Sequence, residues 1–287
     1  MSSQTRTNQR RSRLLKGVAV ASTAALVLTG CSEEVQRGWL PGSREVTNHN
    51  PYLTDLWVNS WIAAVIIGLL VWGLMIWVII AYRRRKNDVG YPKQLAYNVP
   101  LEILYTIVPL VMVFVLFAFT DQVQRDVETP PAEESPLVVN VVGKQWAWDF
   151  NYEYKGMEKS DPSVQAHLDG TDGKRDTLPT LYLPVDVPVK LELTSRDVIH
   201  SFWVPAFLQK RDMIPGKPNY LYLTPGEIGD FDGKCAELCG EYHSEMLFNV
   251  KIVEESEFLD HLNTLEDGLL DDKYNRNPNQ NPVGEGK

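Results

Sequence analysis

Cysteine and histidine are scarce in this chain, and their scarcity narrows its chemistry. The 287 residues include three cysteines and five histidines. No Cys-x-x-Cys-His segment occurs, which excludes a covalently attached haem. Yet Cys235, Cys239, His243 and Met246 fall within twelve positions. So tight a grouping of rare sulfur and imidazole side chains predicts a metal centre.

Positive charge is also in short supply. The formal net charge is -9, and it becomes -14 without the five cations of residues 1–30. An acidic protein of this kind is a poor partner for nucleic acid, so we expect no nucleic acid among its partners. The same charge favours a cationic partner surface, or simply solubility.

Residues 1–30 lack acidic residues and are typical of an export signal. A basic segment, Arg10–Arg13, precedes the apolar stretch Gly17–Leu28. That stretch ends in Leu-Thr-Gly-Cys31, the pattern of a bacterial lipoprotein processing site, which predicts a lipid on the Cys31 thiol and cleavage before it. The alternative is an uncleaved signal anchor. Residues 31–55 are then an external N-terminal segment.

Two later runs are almost free of charge. Trp57–Tyr82 and Leu101–Thr120 each match the roughly 20 residues that cross a bilayer. The basic run Arg83–Lys86 lies between them and should face the cytoplasm, so both outer ends face outward. Residues 56–121 therefore predict a two-helix transmembrane hairpin carrying an external domain.

A linker at 122–136 leads into a region with a different pattern. Residues 137–254 contain short runs rich in Val, Leu, Tyr and Trp between turn residues, which favours an all-β, antiparallel Greek-key sandwich. The polar segment 155–180 predicts a long loop. Residues 255–287 predict a C-terminal helix and a disordered acidic tail. The strand candidates are Val138–Val142, Trp146–Tyr152, Val187–Leu193, Tyr220–Leu223 and Met246–Val253.

The sulfur and imidazole cluster favours copper. Its donors are soft or borderline ligands, which disfavours magnesium or calcium, and two thiolates can bridge two copper ions. His200, at the end of a strand-like run, offers a second imidazole. Cys235 and Cys239 could instead form a disulfide, or bind structural zinc with His200 and His243. Zinc leaves Met246 unexplained, and a disulfide explains neither histidine. The remaining histidines are expected on the surface: His49, His167 and His261.

Three segments carry a resemblance to a known family: Asp197–Pro205, Lys210–Gly216 and Cys235–Met246. They resemble the copper-A (CuA) site of subunit II of the haem-copper cytochrome c oxidases, and the similarity extends from the membrane segments to about Glu254. The lipoprotein-like start and acidic tail resemble the actinobacterial form. The resemblance implies a cupredoxin-like domain, a binuclear CuA centre with two copper ions, and an electron-entry role in aerobic respiration.

In that role the subunit accepts electrons from a c-type cytochrome and passes them to haem in subunit I. There dioxygen is reduced to water and protons are translocated. The resemblance implies that Cys235 and Cys239 bridge both copper ions. It assigns His200 and Met246 to one ion, with His243 and the Glu237 carbonyl on the other.

Four further roles are expected, three of them from the same resemblance and that of Asp197 from charge. The Glu237 side chain helps to hold magnesium or manganese at the subunit I interface, unless it is a plain surface acid. Trp146 receives the donor's electron, while Trp148 is structural. Both tryptophans would share a strand face, and the alternative places both in the core. Asp197 is assigned to the donor-docking surface because the acidic charge of the domain, Asp197 included, should steer a basic donor. Glu102 lies at the mouth of a proton pathway, the alternative being a solvated carboxylate.

The implied partners are subunit I and other oxidase subunits, membrane lipid, and a c-type cytochrome that is soluble or fused to a cytochrome bc complex. The implied location is the bacterial cell membrane, with the domain outside and a lipid at Cys31. A membrane-tethered copper-delivery protein is the alternative function, but it leaves the hairpin and Glu102 unexplained. A quinol-oxidase homologue would lack the copper ligands, and all six positions are present here.

Overall fold

The computed structural model describes residues 32–91, 94–155, 162–165 and 178–267. The predicted signal, its Cys31, His167, much of the 155–180 loop and the acidic tail lie outside these residues. A short helix, α1 (Glu33–Gln36), is followed by two long ones, α2 (Asn50–Ala81) and α3 (Val99–Glu128). Within the described chain, α2 and α3 are the two helices long and apolar enough to cross a membrane, judged by length and composition.

The helix α3 has a capped N-terminus and extends beyond the predicted membrane segment. Asn98 caps the helix by accepting a hydrogen bond from the Leu101 amide, and the Glu102 carboxylate accepts one from the Asn98 amide at 3.0 Å. Such reciprocal bonds satisfy amides that have no partner inside a helix. At the other end α3 runs to Glu128, so part of the predicted 122–136 linker is helical.

Beyond α3, the described residues form a sandwich of two β-sheets and a closing helix, α4 (Glu255–Thr264). The described strands are β1 (Leu137–Lys144), β2 (Ala147–Tyr154), β3 (Pro162–Gln165), β4 (Thr180–Pro184), β5 (Val189–Ser195), β6 (His200–Val204), β7 (Gln209–Met213), β8 (Asn219–Leu223), β9 (Gly229–Cys235), β10 (Leu247–Val253) and β11 (Glu266–Asp267). One sheet has the order β11-β3-β2-β1-β5-β8, and the other β4-β10-β9-β6-β7.

The strand pairing is mixed rather than purely antiparallel. β1 lies parallel to β5, and β4 lies parallel to β10. The alternation of apolar and polar residues along a strand does not show whether a partner distant in sequence runs parallel or antiparallel. An antiparallel sandwich was expected for that reason. The sequence had suggested that Trp146 and Trp148 share a strand face. β2 instead begins at Ala147, so Trp146 lies in the turn before it. β3 also lies inside the segment expected to be loop.

Alternation along the strands builds the core between the sheets. Trp148 and Phe150 of β2 point inward and contact Phe248 of β10, with ring centroids 4.9 and 5.7 Å apart. Burial of each such ring stabilises the fold by about 1.5–3 kcal/mol. Gly233 makes this possible, because a Cβ there would lie 2.1 Å from the Phe248 ring.

Two histidines expected on the surface are not free in solvent. His49 is buried, and its ring bonds the Tyr222 carbonyl at 3.0 Å. His261 of α4 stacks on Tyr182, with centroids 3.7 Å apart. A lone histidine gives no sequence signal for such packing, since the contacts come from distant strands.

Candidate metal centre

Strand pairing brings the predicted donors to one end of the sandwich. His200 is the first residue of β6, Cys235 is the last of β9, and Met246 immediately precedes β10. β6 and β9 pair through Phe202 and Cys235. The loop between β9 and β10 is closed at its base by the Cys235 amide, which donates to the Met246 carbonyl at 3.0 Å.

The donor atoms form a continuous cluster. The two sulfurs, Cys235 Sγ and Cys239 Sγ, lie 3.9 Å apart and are not bonded as a disulfide. His200 Nδ1 is 3.8 Å from Cys235 Sγ, and His243 Nδ1 is 3.4 Å from Cys239 Sγ. Each sulfur therefore has an imidazole of its own. Met246 Sδ adds a thioether 3.8 Å from Cys239 Sγ.

A main-chain oxygen completes the cluster. The Glu237 carbonyl lies 3.2 Å from Cys235 Sγ, whereas the Glu237 side chain is exposed. The structure thus separates the two roles assigned to this residue, since the carbonyl faces the sulfurs and the carboxylate faces outward. All six predicted positions contribute an atom to this end of the fold.

The surroundings shift the thiol pKa values of the two cysteines in opposite directions. Burial raises the pKa of the Cys235 thiol, but its hydrogen bonds with His200 and with backbone amides outweigh burial and lower the pKa overall. Burial also raises the pKa of Cys239, and the neighbouring Cys235 thiolate raises it further. One thiolate forms readily and the second does not. A cation between the sulfurs would remove that conflict, because metal binding takes the place of the proton.

Asp197 holds the far side of the His200 ring. Its carboxylate lies 2.7 Å from His200 Nε2 and accepts hydrogen bonds from the Gln145 and Val198 amides, each at 2.7 Å. Burial alone would lower the pKa of His200, but the bonds with Asp197 and Cys235 outweigh it and raise the pKa. Nδ1 is thereby turned toward the sulfurs. The docking role of Asp197 stays a prediction, although its side chain is only 11% exposed.

Trp146 sits in the tight turn between β1 and β2 and touches the metal loop. Its indole Nε1 donates to the Cys239 carbonyl at 3.2 Å, and the Gln145 side chain donates to the same oxygen at 2.6 Å. The Trp146 ring packs edge-on against Tyr242, with centroids 4.9 Å apart. Gly240 has φ +125°, and a Cβ there would lie 3.0 Å from the indole, so only glycine fits beneath it.

A buried ion pair supports this turn from behind. Lys144 Nζ lies 2.6 Å from Asp149 Oδ1, with the two side chains 1% and 4% exposed. Burial lowers the pKa of Lys144 against the attraction of Asp149. Removal of one partner would leave an uncompensated buried charge, which costs about 3–5 kcal/mol.

Sequence reasoning missed several of these residues. No metal-ligand spacing in the sequence pointed to Gln145, to Tyr242 or to the Lys144–Asp149 pair. The bond between Asp197 and His200 could have been predicted from sequence, because the two residues are three positions apart and a turn brings such neighbours together. Glu102 has an additional role as a partner of the Asn98 amide, and its proton-pathway role stays a prediction.

Fold and site together define a class: a membrane-anchored, cupredoxin-like β-sandwich with a copper-type cluster of sulfur and imidazole donors. The family model described as Cytochrome C oxidase subunit II, periplasmic domain, matches residues 137–253. The model for the transmembrane domain of the same subunit matches residues 47–122. The chain belongs to the cytochrome c oxidase subunit II family. The predicted family, fold class and electron-entry function are confirmed.

Relatives agree over most of the chain. It is 43% identical over 275 residues to a probable cytochrome c oxidase subunit 2 of Streptomyces avermitilis, covering 85% of each chain. It is 33% identical over 318 residues to cytochrome c oxidase subunit 2 of Corynebacterium glutamicum, covering 91% of this chain and 87% of the relative.

Two solved structures are also similar. The periplasmic domain of subunit II of cytochrome oxidase from Bradyrhizobium japonicum has a TM-score of 0.41 and 30% identity, over 47% of this chain and 96% of that one. A chain of a heme-copper terminal oxidase dimer has a TM-score of 0.30 and 16% identity, over 68% of this chain and 97% of that one.

Proposed function

We propose that the cluster holds two copper ions bridged by Cys235 and Cys239, and that this pair is where electrons enter the oxidase. The observation that carries the proposal is the pairing of donors, in which two sulfurs lie side by side and each has its own imidazole. Soft sulfur donors suit copper. When bound, such a pair takes up and releases single electrons.

The remaining two donors fit the same arrangement. Met246 lies nearer Cys239, and the Glu237 carbonyl lies nearer Cys235. If each bridging sulfur contacted both ions, His200 and Met246 would hold one copper ion, and His243 and the Glu237 carbonyl would hold the other. Structural zinc would leave Met246 without a purpose, and a disulfide would leave both imidazoles without one.

The surrounding residues prepare the site rather than react in it. Asp197 fixes the orientation of the His200 ring through Nε2, so that Nδ1 is ready to bind before any metal arrives. Trp146 receives the electron from the donor at the surface, which its contact with the metal loop supports. The exposed Glu237 carboxylate contributes to a magnesium or manganese site shared with subunit I, since hard cations prefer carboxylate oxygen.

The partners and the location complete the proposal. The chain lies in the bacterial cell membrane beside subunit I, with its sandwich outside, and receives electrons from a c-type cytochrome that is free or fused to a cytochrome bc complex. Glu102 is at the entrance of a proton pathway. Cys31 carries a lipid that adds a second anchor to the hairpin.

Metal analysis of the purified oxidase tests the central claim. We expect two copper ions per copy of this chain in addition to the metals of subunit I, and a mixed-valence electron spin resonance signal from copper. Zinc at the same positions, or a Cys235–Cys239 disulfide in the assembled enzyme, would refute it.

The lipid anchor has its own test. Mass spectrometry of the mature N-terminus should find a lipidated Cys31 as the first residue. A full-length N-terminus with a free Cys31 thiol would contradict the anchor and leave the copper proposal untouched.

A further inference from the structure

We propose that a buried joint between α2 and the sandwich, centred on Asn50, positions the metal centre relative to the membrane. The joint consists of residues 43–50, the turn Pro205–Phe207 after β6, and the turn 224–226 after β8. Asn50 is then a positioning residue for electron transfer from the metal centre to haem in the membrane. The inference rests on the proposed electron-entry function.

Asn50 uses its side chain fully inside the joint. It is completely buried, and Nδ2 donates to the Ser43 carbonyl at 3.0 Å and to the Ala206 carbonyl at 2.8 Å. Its Oδ1 accepts from the Thr47 hydroxyl at 2.7 Å. One amide thus ties the first turn of a membrane helix to a residue 156 positions away.

Backbone bonds reinforce the same connection. The Asn48 amide donates to the Thr224 carbonyl at 3.0 Å, and the Thr224 amide donates to Asn48 Oδ1 at 2.8 Å. The Gly226 amide donates to the Val46 carbonyl at 3.0 Å. The chain entering α2 is therefore paired with the sandwich before the helix begins.

The joint acts on the strand that carries a metal ligand. Ala206 follows β6 by two residues, and His200 is the first residue of β6. An extended strand rises about 3.3 Å per residue, so β6 spans roughly 13 Å between His200 and Val204, where the Pro205–Phe207 turn of the joint begins. Because β6 is hydrogen-bonded on both sides, to β7 and β9, it transmits a tilt at Ala206 to the metal-binding end.

The ion pair between α3 and the sandwich is a weaker polar contact. At the end of α3, Glu128 pairs with Arg211 of β7 at 3.2 Å, but the two side chains are 43% and 27% exposed. Exposed ion pairs hold geometry poorly, since solvent screens them. Of these two polar contacts, the buried amide of Asn50 is therefore the one better suited to fix the orientation of the sandwich, alongside the buried Val127 of α3.

The test compares the Asn50→Leu oxidase with an Asn59→Leu control, the same change nine residues further along α2. In Asn50→Leu we expect normal copper content and a normal mixed-valence signal, because no metal ligand is touched. Reduction of copper by the donor should also be unchanged. Transfer from copper to the partner haem should slow severalfold, since electron transfer falls steeply with distance. The control should match wild type in all steps.

A second measurement reads the joint without electron transfer. Hydrogen exchange of the amides of Asn48 and Gly226 should be faster in Asn50→Leu, while the loop 235–246 keeps its protection. Thr47→Val removes the bond to Asn50 and the acceptor of the His49 amide, but keeps the bonds from Asn50 to Ser43 and Ala206. It should give the same pattern more weakly and serves if Asn50→Leu fails to assemble.

The inference is overturned if copper-to-haem transfer and joint exchange in Asn50→Leu equal those of the control. It is also overturned if the milder Thr47→Val loses copper and slows both electron steps together, since the joint then serves folding rather than position. Absence of copper in the wild-type oxidase would instead refute the proposed function, while the exchange measurement would still report on the joint.

Discussion

The two imidazoles of the metal cluster stand in contrasting surroundings. His200 is fully buried at the start of a strand, and its second ring nitrogen is held by Asp197 at 2.7 Å. His243 is half-buried, in a single 3-10 turn inside the loop, 3.4 Å from Cys239 Sγ. One ligand belongs to the sandwich and the other to the loop. The difference teaches that half of the site is assembled by the fold itself, whereas the other half depends on how the loop closes.

The variants Cys235→Ser and Cys239→Ser should have the same large effect, even though one residue belongs to the sandwich and the other to the loop. Cys235 ends a strand and Cys239 is in the loop, yet both are proposed to bridge, so either change should abolish the copper pair. A hydroxyl is too hard a donor to replace a thiolate. Copper analysis and spin resonance of each variant provide the measurement. Two coppers with an intact mixed-valence signal in either variant would contradict the bridging assignment.

The pair His200→Gly and His243→Gly should sharpen the contrast. His200→Gly removes the ring that bonds the Asp197 carboxylate, which keeps its bonds from the Gln145 and Val198 amides. Loss of one hydrogen bond to a charged group costs about 1.5–3 kcal/mol. The copper site of His200→Gly should not recover. His243→Gly opens a gap near solvent, and added imidazole should enter it and restore the copper signal. Thermal unfolding and titration with imidazole measure both effects. Equal rescue of the two variants would show that the contrast has no chemical consequence.

Trp146→Phe examines the loop side from the surface. The ring is kept but the bond to the Cys239 carbonyl is lost, so copper content should persist while reduction by the donor slows strongly. Transfer onward to haem should stay near normal. Trp203→Phe, where Lys234 covers the indole at 4.6 Å, is the matched control. Rapid-mixing kinetics distinguish the two, and an unchanged copper-reduction rate in Trp146→Phe removes Trp146 from the electron path.

Salt sharpens the Trp146 result. A freely diffusing basic donor should bind the acidic domain less well as salt rises, because screening shortens the range of attraction. A donor fused into a larger complex should show little salt dependence, since encounter no longer limits it.

Met246→Leu should have the smallest effect. The thioether is a weak ligand, and Leu nearly conserves its volume, so the cost in stability should be below about 1.5 kcal/mol. Copper should remain bound with a shifted reduction potential, which redox titration measures. Loss of one copper would mean that Met246 holds its ion more firmly than proposed.

The two halves of the site also differ in how far sequence could predict them. The loop ligands were predictable, because Cys235, Cys239, His243 and Met246 are close along the chain and chemically rare. The surroundings of His200 were not, since Gln145 reaches Asp197 across 52 positions through strand pairing. The membrane helices were predictable from composition alone, because a bilayer selects for apolar length and not for register.

The strands show the same limit. β7 and β9 escaped prediction because they carry several polar residues such as Lys210 and Asp232. The strand-like run that was expected to end near His200 instead begins there, as β6. The place of all three strands is fixed by partners, β9 lying between β6 and β10. Trp146 was assigned to a strand because Trp148 suggested a period of two, but the turn that ends β1 takes Gln145 and Trp146 together.

The hydrogen bond from the Trp146 indole to the Cys239 carbonyl has a consequence for the proposed electron-transfer path. Cys239 is itself a proposed ligand, so the path from the protein surface to its sulfur runs through one hydrogen bond and then the covalent skeleton of a single residue. No gap has to be crossed through solvent or through a second side chain. If Trp146 receives the electron as proposed, loss of this one hydrogen bond should interrupt the path at a single, identifiable atom pair.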